Sequence, residues 1–229
     1  MNIINEFSLI DGVALTFFFL AWFIHFYIIN YSRFHVHTIT AHMLKAREGW
    51  MLNMVQRRGE PFDALIQNGL QQGVLFFGST SVLLIGALFA GLGASDRALS
   101  VLKDVPLSTT NSHAQWEVKI LLILFIFVFA FFKFAWSFRL FNYVVIMMGA
   151  CPDGNVVGQE EANRYALKLS QLHALGAKHF TTGLNSYFFA LAAVAWFINA
   201  WLFIAATIWV SIVLYRRAFW SKFCKVYTS

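Results

Sequence analysis

Residues 118–132 read VKILLILFIFVFAFF, and apart from Lys119 every side chain in that run is aliphatic or aromatic. The run continues with few interruptions to about residue 140, and three more stretches resemble it, at about 10–30, 73–93 and 187–214. Crossing the hydrocarbon core of a bilayer as a helix takes about 20 apolar residues. A soluble domain of 229 residues could not hide four such segments. Lipid is therefore the solvent for most of this surface. The predicted fold is all-α, a polytopic membrane protein with four transmembrane helices in a bundle.

Composition agrees where the argument needs it. Charged residues are 12% of the chain, about half the fraction usual in soluble domains, and the mean hydropathy is +0.63. The 26 Phe and 8 Trp suit lipid-facing surface and interfacial belts. The net charge of +6 does not point to nucleic acid, because the basic residues sit at span ends and between spans, where they set topology and meet headgroups. Cys151 and Cys224 have no ligand spacing and read as free thiols. The opening MNIINEFS lacks the basic start of a cleavable signal, so the first apolar run is expected to stay as a span.

Between the spans the chain still looks helical. The first span is expected to continue as helix through a polar segment carrying Arg33, Lys45, Arg47, Arg57 and Arg58, until Gly59 and Pro61 end it. Phe62, Leu65, Ile66 and Leu70 then fall at helical spacing and lead into the second span. Residues 94–116 read as a turn-rich connector and 151–155 (CPDGN) as a turn. Residues 159–180 read as a surface helix with Glu160 and Glu161 at its start and Lys178 and His179 at its end, separated from the fourth span by Gly183. One membrane domain, residues 1–229, with helical layers at about 31–72 and 141–182 on the cytoplasmic side, is the expected organisation. The N-terminal tail has no Lys or Arg and the first loop has five, which places the N-terminus outside the cytoplasm. Four spans would then leave Arg216, Arg217, Lys222 and Lys225 outside as well, against the same rule. The first helix is given the greater weight.

The block VKILLILFIFVFAFFKFAWSFRLFNYVVIMMGACPDG resembles the third-span block of a bacterial and plant family of four-span membrane proteins known as domain of unknown function number 599. The resemblance extends to NGLQQGVLFFGSTSVLLIGAL, GLNSYFFALAAVAWFINAWLF and VLYRRAFWS, and so covers most of the chain. Where the family pattern suggests a basic string at the start of span two, this chain has Gln67-Asn-Gly-Leu-Gln71-Gln72. The resemblance implies a four-span fold in a bacterial inner membrane and carries no activity with it.

Few residues carry distinctive chemistry. Lys133 is a cation inside a span, where a charge is costly and marks a pathway, a bound anion or a snorkelling side chain. Trp136, Arg139 and Tyr143 share a helix face, with Asn142 beside them, and suit a lipid phosphate or an interfacial anchor. Gly69 and Gly73 are spaced for close helix approach, as are Gly86 with Ala90 and Ala190 with Ala193, while Ser79, Thr80, Ser81, Asn199 and Thr207 suit interhelical hydrogen bonds. His35 and His42 share a face that excludes His37 and Glu48, too few ligands for a metal. His25 has no second histidine at its depth, which argues against a haem between spans. No metalloprotease, nucleophile-elbow or phosphate-loop motif is present. These features predict a non-enzymatic protein without cofactor or metal. The expected role is a self-associating scaffold or an accessory subunit of a larger complex, engaging membrane lipids or a protein partner. The rival readings are a small oligomeric channel or transporter for an anion or lipid built on Lys133 and Arg139, and a redox or enzyme subunit.

Overall fold

The computed structural model describes residues 6–31, 39–57 and 61–220, and every regular element among them is helical. In chain order these are α1 (Leu9–Tyr31), α2 (Ile39–Arg57), α3 (Pro61–Leu92), α4 (Ser95–Lys103), α5 (His113–Gly149), α6 (Gly154–Val157), α7 (Gln159–Val194) and α8 (Ala200–Phe219), with a single 3-10 turn at Ala195–Phe197 before α8. Arg33, His35, His37, Arg58, Gly59, Lys222, Cys224 and Lys225 lie outside the described residues. Of the helix expected through 31–58, α2 supplies Ile39–Arg57, while residues 32–38 lie outside the described residues; the connector after α3 contains α4.

Among the described residues five helices, not four, are long and apolar enough to cross a membrane: α1, α3, α5, α7 running into the 3-10 turn, and α8. The expected fourth span at 187–214 divides at Ile198–Asn199. Asn199 takes an extended conformation, and its side chain accepts the backbone N–H of Leu202 at 2.7 Å, capping α8. The carbonyls freed by the break are bound by the connector before α5. Thr109 N donates to Ile198 O at 2.8 Å and the Thr110 hydroxyl to Phe197 O at 2.7 Å. Asn199 therefore starts a helix and does not bridge two. Gly183, expected as a separator, lies mid-helix: α7 runs unbroken from Gln159.

The frame of the molecule is the antiparallel α5–α7 hairpin. Ser112 caps α5 by accepting from Gln115 N at 3.2 Å, and Pro152, Asp153 and Gly158 (φ +91°) reverse the chain between α5 and α7. On α5 the buried residues Ile123, Ala130, Ser137 and Val144 recur every seven positions, and on α7 Ala162, Leu169, Gly176, Gly183 and Ala190 do the same. A seven-residue repeat keeps one seam in register along two supercoiled helices. Phe134 and Phe141 insert as knobs opposite Gly183 and Gly176, where an added Cβ would lie 2.7 and 2.8 Å from the rings. Ser137 Oγ donates to Gly176 O at 2.8 Å across the same seam.

α3 packs on one flank of α5, while α1 and α8 pack together on the other side of the hairpin. Phe18 is the hub of that second side, 5.1 Å from Phe203 and 5.8 Å from Phe189 between ring centroids. From Trp116 to Trp136 α5 rises about 30 Å, the thickness of a hydrocarbon core. The 37 residues of α5 and 36 of α7 thus extend one to two dozen ångströms past it. Their projecting ends carry α2, around a core of Met51, Met54, Val144, Ala166 and Leu169. The end of α1, the start of α2 and the end of α8 border one cavity with Phe180 and Asn185. Arg216 and Arg217 therefore share the α2 end of the molecule, and the α4 connector marks the opposite end.

Candidate functional site

α5 carries two lysines within its apolar run, and the structure gives them opposite surroundings. Lys119 stands at the α4 end and is 2% exposed. Its ammonium donates to Thr110 Oγ1 at 2.6 Å and lies 5.4 Å from the Trp196 ring centroid. The carboxylate of Asp11, on α1, supplies a compensating charge. Asp11 is itself fixed: it accepts from Trp196 Nε1 at 2.8 Å, from Ser8 Oγ at 2.7 Å and from Ser8 N at 3.1 Å. Glu6 adds a bond to Ser112 beside it. These contacts tie α1, α5 and the 3-10 turn together at one end of the bundle. A charge network in which Lys119, Thr110, Asp11 and Trp196 are all bonded and buried is a clasp.

Lys133 stands near the α2 end, one turn inside Trp136. Among the described residues no carboxylate pairs with it. Its ammonium lies 5.1 Å from the Phe129 centroid and 5.9 Å from that of Phe26, and it is close enough to Lys178 for mutual repulsion, with His179 beside them. It closes one end of a cleft of about 170 Å³ between α1 and α5, whose other walls are Trp22, Phe23, Phe26, Phe125 and Phe129. The cleft opens on the outer surface of the bundle.

Trp136, Arg139 and Tyr143 share one exposed face as the spacing predicts. Arg139 Nε donates to the Tyr143 hydroxyl at 2.6 Å, and its guanidinium lies 6.0 Å from the Trp136 centroid. Asn142 points elsewhere and accepts from Gln71 Nε2 at 2.8 Å, joining α3 to α5. Ala190 and Ala193 are buried in the bundle. Gly69, Gly73 and Gly86, expected to pack helices, have open space where a Cβ would stand, and Ala90 is exposed. None of these four brings helices together within the chain. Ser81 does bridge helices, lying 2.8 Å from the Tyr187 hydroxyl, whereas Thr80 and Thr207 bond back to carbonyls of their own helices. His25 is buried against Phe189 and Tyr215, with Asn185 Nδ2 at 3.3 Å.

The first turns of α3 are inside out. Asp63 is 4% exposed and accepts from Trp50 Nε1 at 2.6 Å and from Arg57 at 3.1 Å, and Gln67 is buried one turn on. Phe62, Leu65 and Leu70 face outward instead, Leu65 at 67% exposure. The apolar spacing seen in the sequence is real, but it marks the exposed side. Among the described residues no three His, Cys, Asp or Glu side chains gather as a metal site requires. Sequence reasoning missed the Asp11–Lys119 clasp. Its only signal was an acid at the start of span one and a lysine at the start of span three, which no spacing rule connects.

The model of the family described as Protein of unknown function, DUF599, matches residues 13–223. The chain belongs to this family. The DUF599 match takes in both lysines, the Arg139 face and the break before α8. No curated protein and no solved structure matches the chain.

Proposed function

We propose that this DUF599 protein is a non-enzymatic, self-associating scaffold or accessory subunit of the bacterial inner membrane. On this reading its α2 end is the cytoplasmic layer. Five spans support that orientation, since they bring the basic residues of α2, of the α5–α7 hairpin and of Arg216 and Arg217 to one side. The N-terminus then lies outside, and the positive-inside rule is satisfied at both ends of the chain.

The observation that carries the reading is the inverted foot of α3. It stands beyond the bilayer plane set by Trp136, yet it turns Phe62, Leu65 and Leu70 away from the protein. Exposed apolar surface of that kind in an aqueous layer marks a docking face. Gly69 and Gly73, open on the same helix, allow a second helix to approach closely. Only 11% of α3's apolar window is buried, against 44% for α5, so α3 is the span with most surface to offer. A conduit through a single bundle has no room, because the interior is filled by Phe18, Phe189, Trp196 and Phe203; the oligomeric channel would need Lys133 and Arg139 to face the axis between copies.

The test is the oligomeric state of the full chain in nanodiscs or mild detergent, read by light scattering. Wild type is expected to assemble, and Leu65→Lys with Leu70→Lys to shift it towards monomer. Gly69→Leu with Gly73→Leu should do the same without unfolding, because those side chains meet nothing within one chain. A monomeric wild type, or assembly indifferent to both pairs, sinks the reading.

A further inference from the structure

We infer that the cleft between α1 and α5 binds one anionic phospholipid, its phosphate held at Lys133 and an acyl chain lying along the aromatic walls. This goes beyond the proposed function and is independent of self-association, so either can fail alone.

Three observations point to this occupant. The first is position. Lys133 sits one turn inside Trp136, the level at which a headgroup phosphate meets the acyl region, and its flexible stem can reach that plane. The second is charge. Lys133 and Lys178 are near neighbours that repel one another. A bound phosphate converts that repulsion into attraction, and no carboxylate of the described residues does so for Lys133. The third is shape. The walls are five aromatic side chains, with Lys133 as the single charged group at the end. A small water-soluble anion would gain nothing from Trp22, Phe23 or Phe125, whereas an acyl chain would cover them. The larger cleft on the other flank, walled by Leu84, Leu88, Ile120, Ile123, Phe127 and Leu191, has no cation, and so provides an internal contrast. It accommodates chains without selecting a headgroup.

Tryptophan quenching in mixed bilayers tests this directly, because Trp22 lines the cleft. The full-length protein is reconstituted with phosphatidylglycerol and phosphatidylcholine, brominated on the acyl chains of one or the other. The difference between wild type and Trp22→Phe isolates the signal from the cleft. Brominated phosphatidylglycerol is expected to quench that signal preferentially. Lys133→Met should reduce the preference about fivefold, the effect of one interfacial lysine, and Lys133→Arg should keep it. Equal quenching by both lipids in wild type overturns the inference, as does a preference unchanged in Lys133→Met. Abolition of the preference by inorganic phosphate overturns the acyl-chain half, since a free anion would then suffice.

Discussion

Lys119 and Lys133 lie fourteen residues apart on one helix, and at about 100° per residue they point within about 40° of the same direction. Both interrupt an apolar run, and either could be read as a functional charge in a membrane. Their fates differ because of what other helices bring to them. α1 carries Asp11 to Lys119, and the connector brings Thr110, so that charge is neutralised, bonded and sealed. α1 brings aromatic rings to the cleft that Lys133 closes, and α7 brings two more basic side chains. The first lysine is spent on holding three elements together, while the second keeps its charge available at the membrane surface. A buried charge in a membrane protein is thus informative only with its partners. A complete set of partners signals structure, and an incomplete one leaves a charge free to meet a ligand.

Four measurements would break or sharpen that contrast. The largest effect is expected from Asp11→Ala, which strips Lys119 of its compensating charge and orphans the Trp196 N–H. Losing a hydrogen bond to a charged group costs about 1.5–3 kcal/mol, the uncompensated Lys119 charge adds to it, and thermal unfolding in detergent should show a large drop in Tm. If the clasp is structural, Asp11→Asn combined with Lys119→Met should be less damaging than Asp11→Ala alone, since no bare charge remains. A double variant as unstable as the single one would show that Lys119 does more than close the bundle.

Next comes Gly183→Ala. It tests whether the α5–α7 seam beneath Lys133 is as rigid as the clasp, because its Cβ would stand 2.7 Å from Phe134. Overpacking of this kind costs about 1–3 kcal/mol. The same change at Gly73, where nothing is met, should be neutral or stabilising by up to about 1 kcal/mol through helix propensity. Trp196→Phe removes the N–H bond to Asp11 together with part of a fully buried indole, so a loss of at least about 1.5–3 kcal/mol, that of a hydrogen bond to a charged group, is expected. The smallest effect belongs to Lys133→Met, which should change stability by no more than about 0.5 kcal/mol. A Tm loss for Lys133→Met as large as that for Asp11→Ala would erase the distinction between the two lysines.

Much of this architecture was legible in the chain itself. The apolar runs identify the membrane environment, CPDGN marks the hairpin tip, and Glu160 and Glu161 mark the start of α7. Trp136, Arg139 and Tyr143 share a face as their spacing requires. The break before α8 was not legible, because apolar residues continue on both sides of Asn199 without a shift in pattern. It exists because Asn199 can cap a helix and because Thr109 and Thr110, nearly ninety residues earlier, accept the cost of the freed carbonyls. Gly183 misled for a related reason. A glycine within a helix can be a boundary or a socket, and only Phe134 on the facing helix tells which. The foot of α3 shows the same limit, since the spacing of Phe62, Leu65 and Leu70 defines a face without saying which way it turns.

Sequence alone sets the solvent of this protein, the helical state of its backbone and the approximate length of each rod, because backbone groups in hydrocarbon must bond within their own segment. Tertiary contacts set where the last rod breaks, which lysine is neutralised and which glycines are sockets. Lipid and protein interior are equally apolar, so hydrophobic periodicity carries no contrast between a surface facing tails and one facing helices. The distinction is left to close packing and to polar partners far apart in the chain.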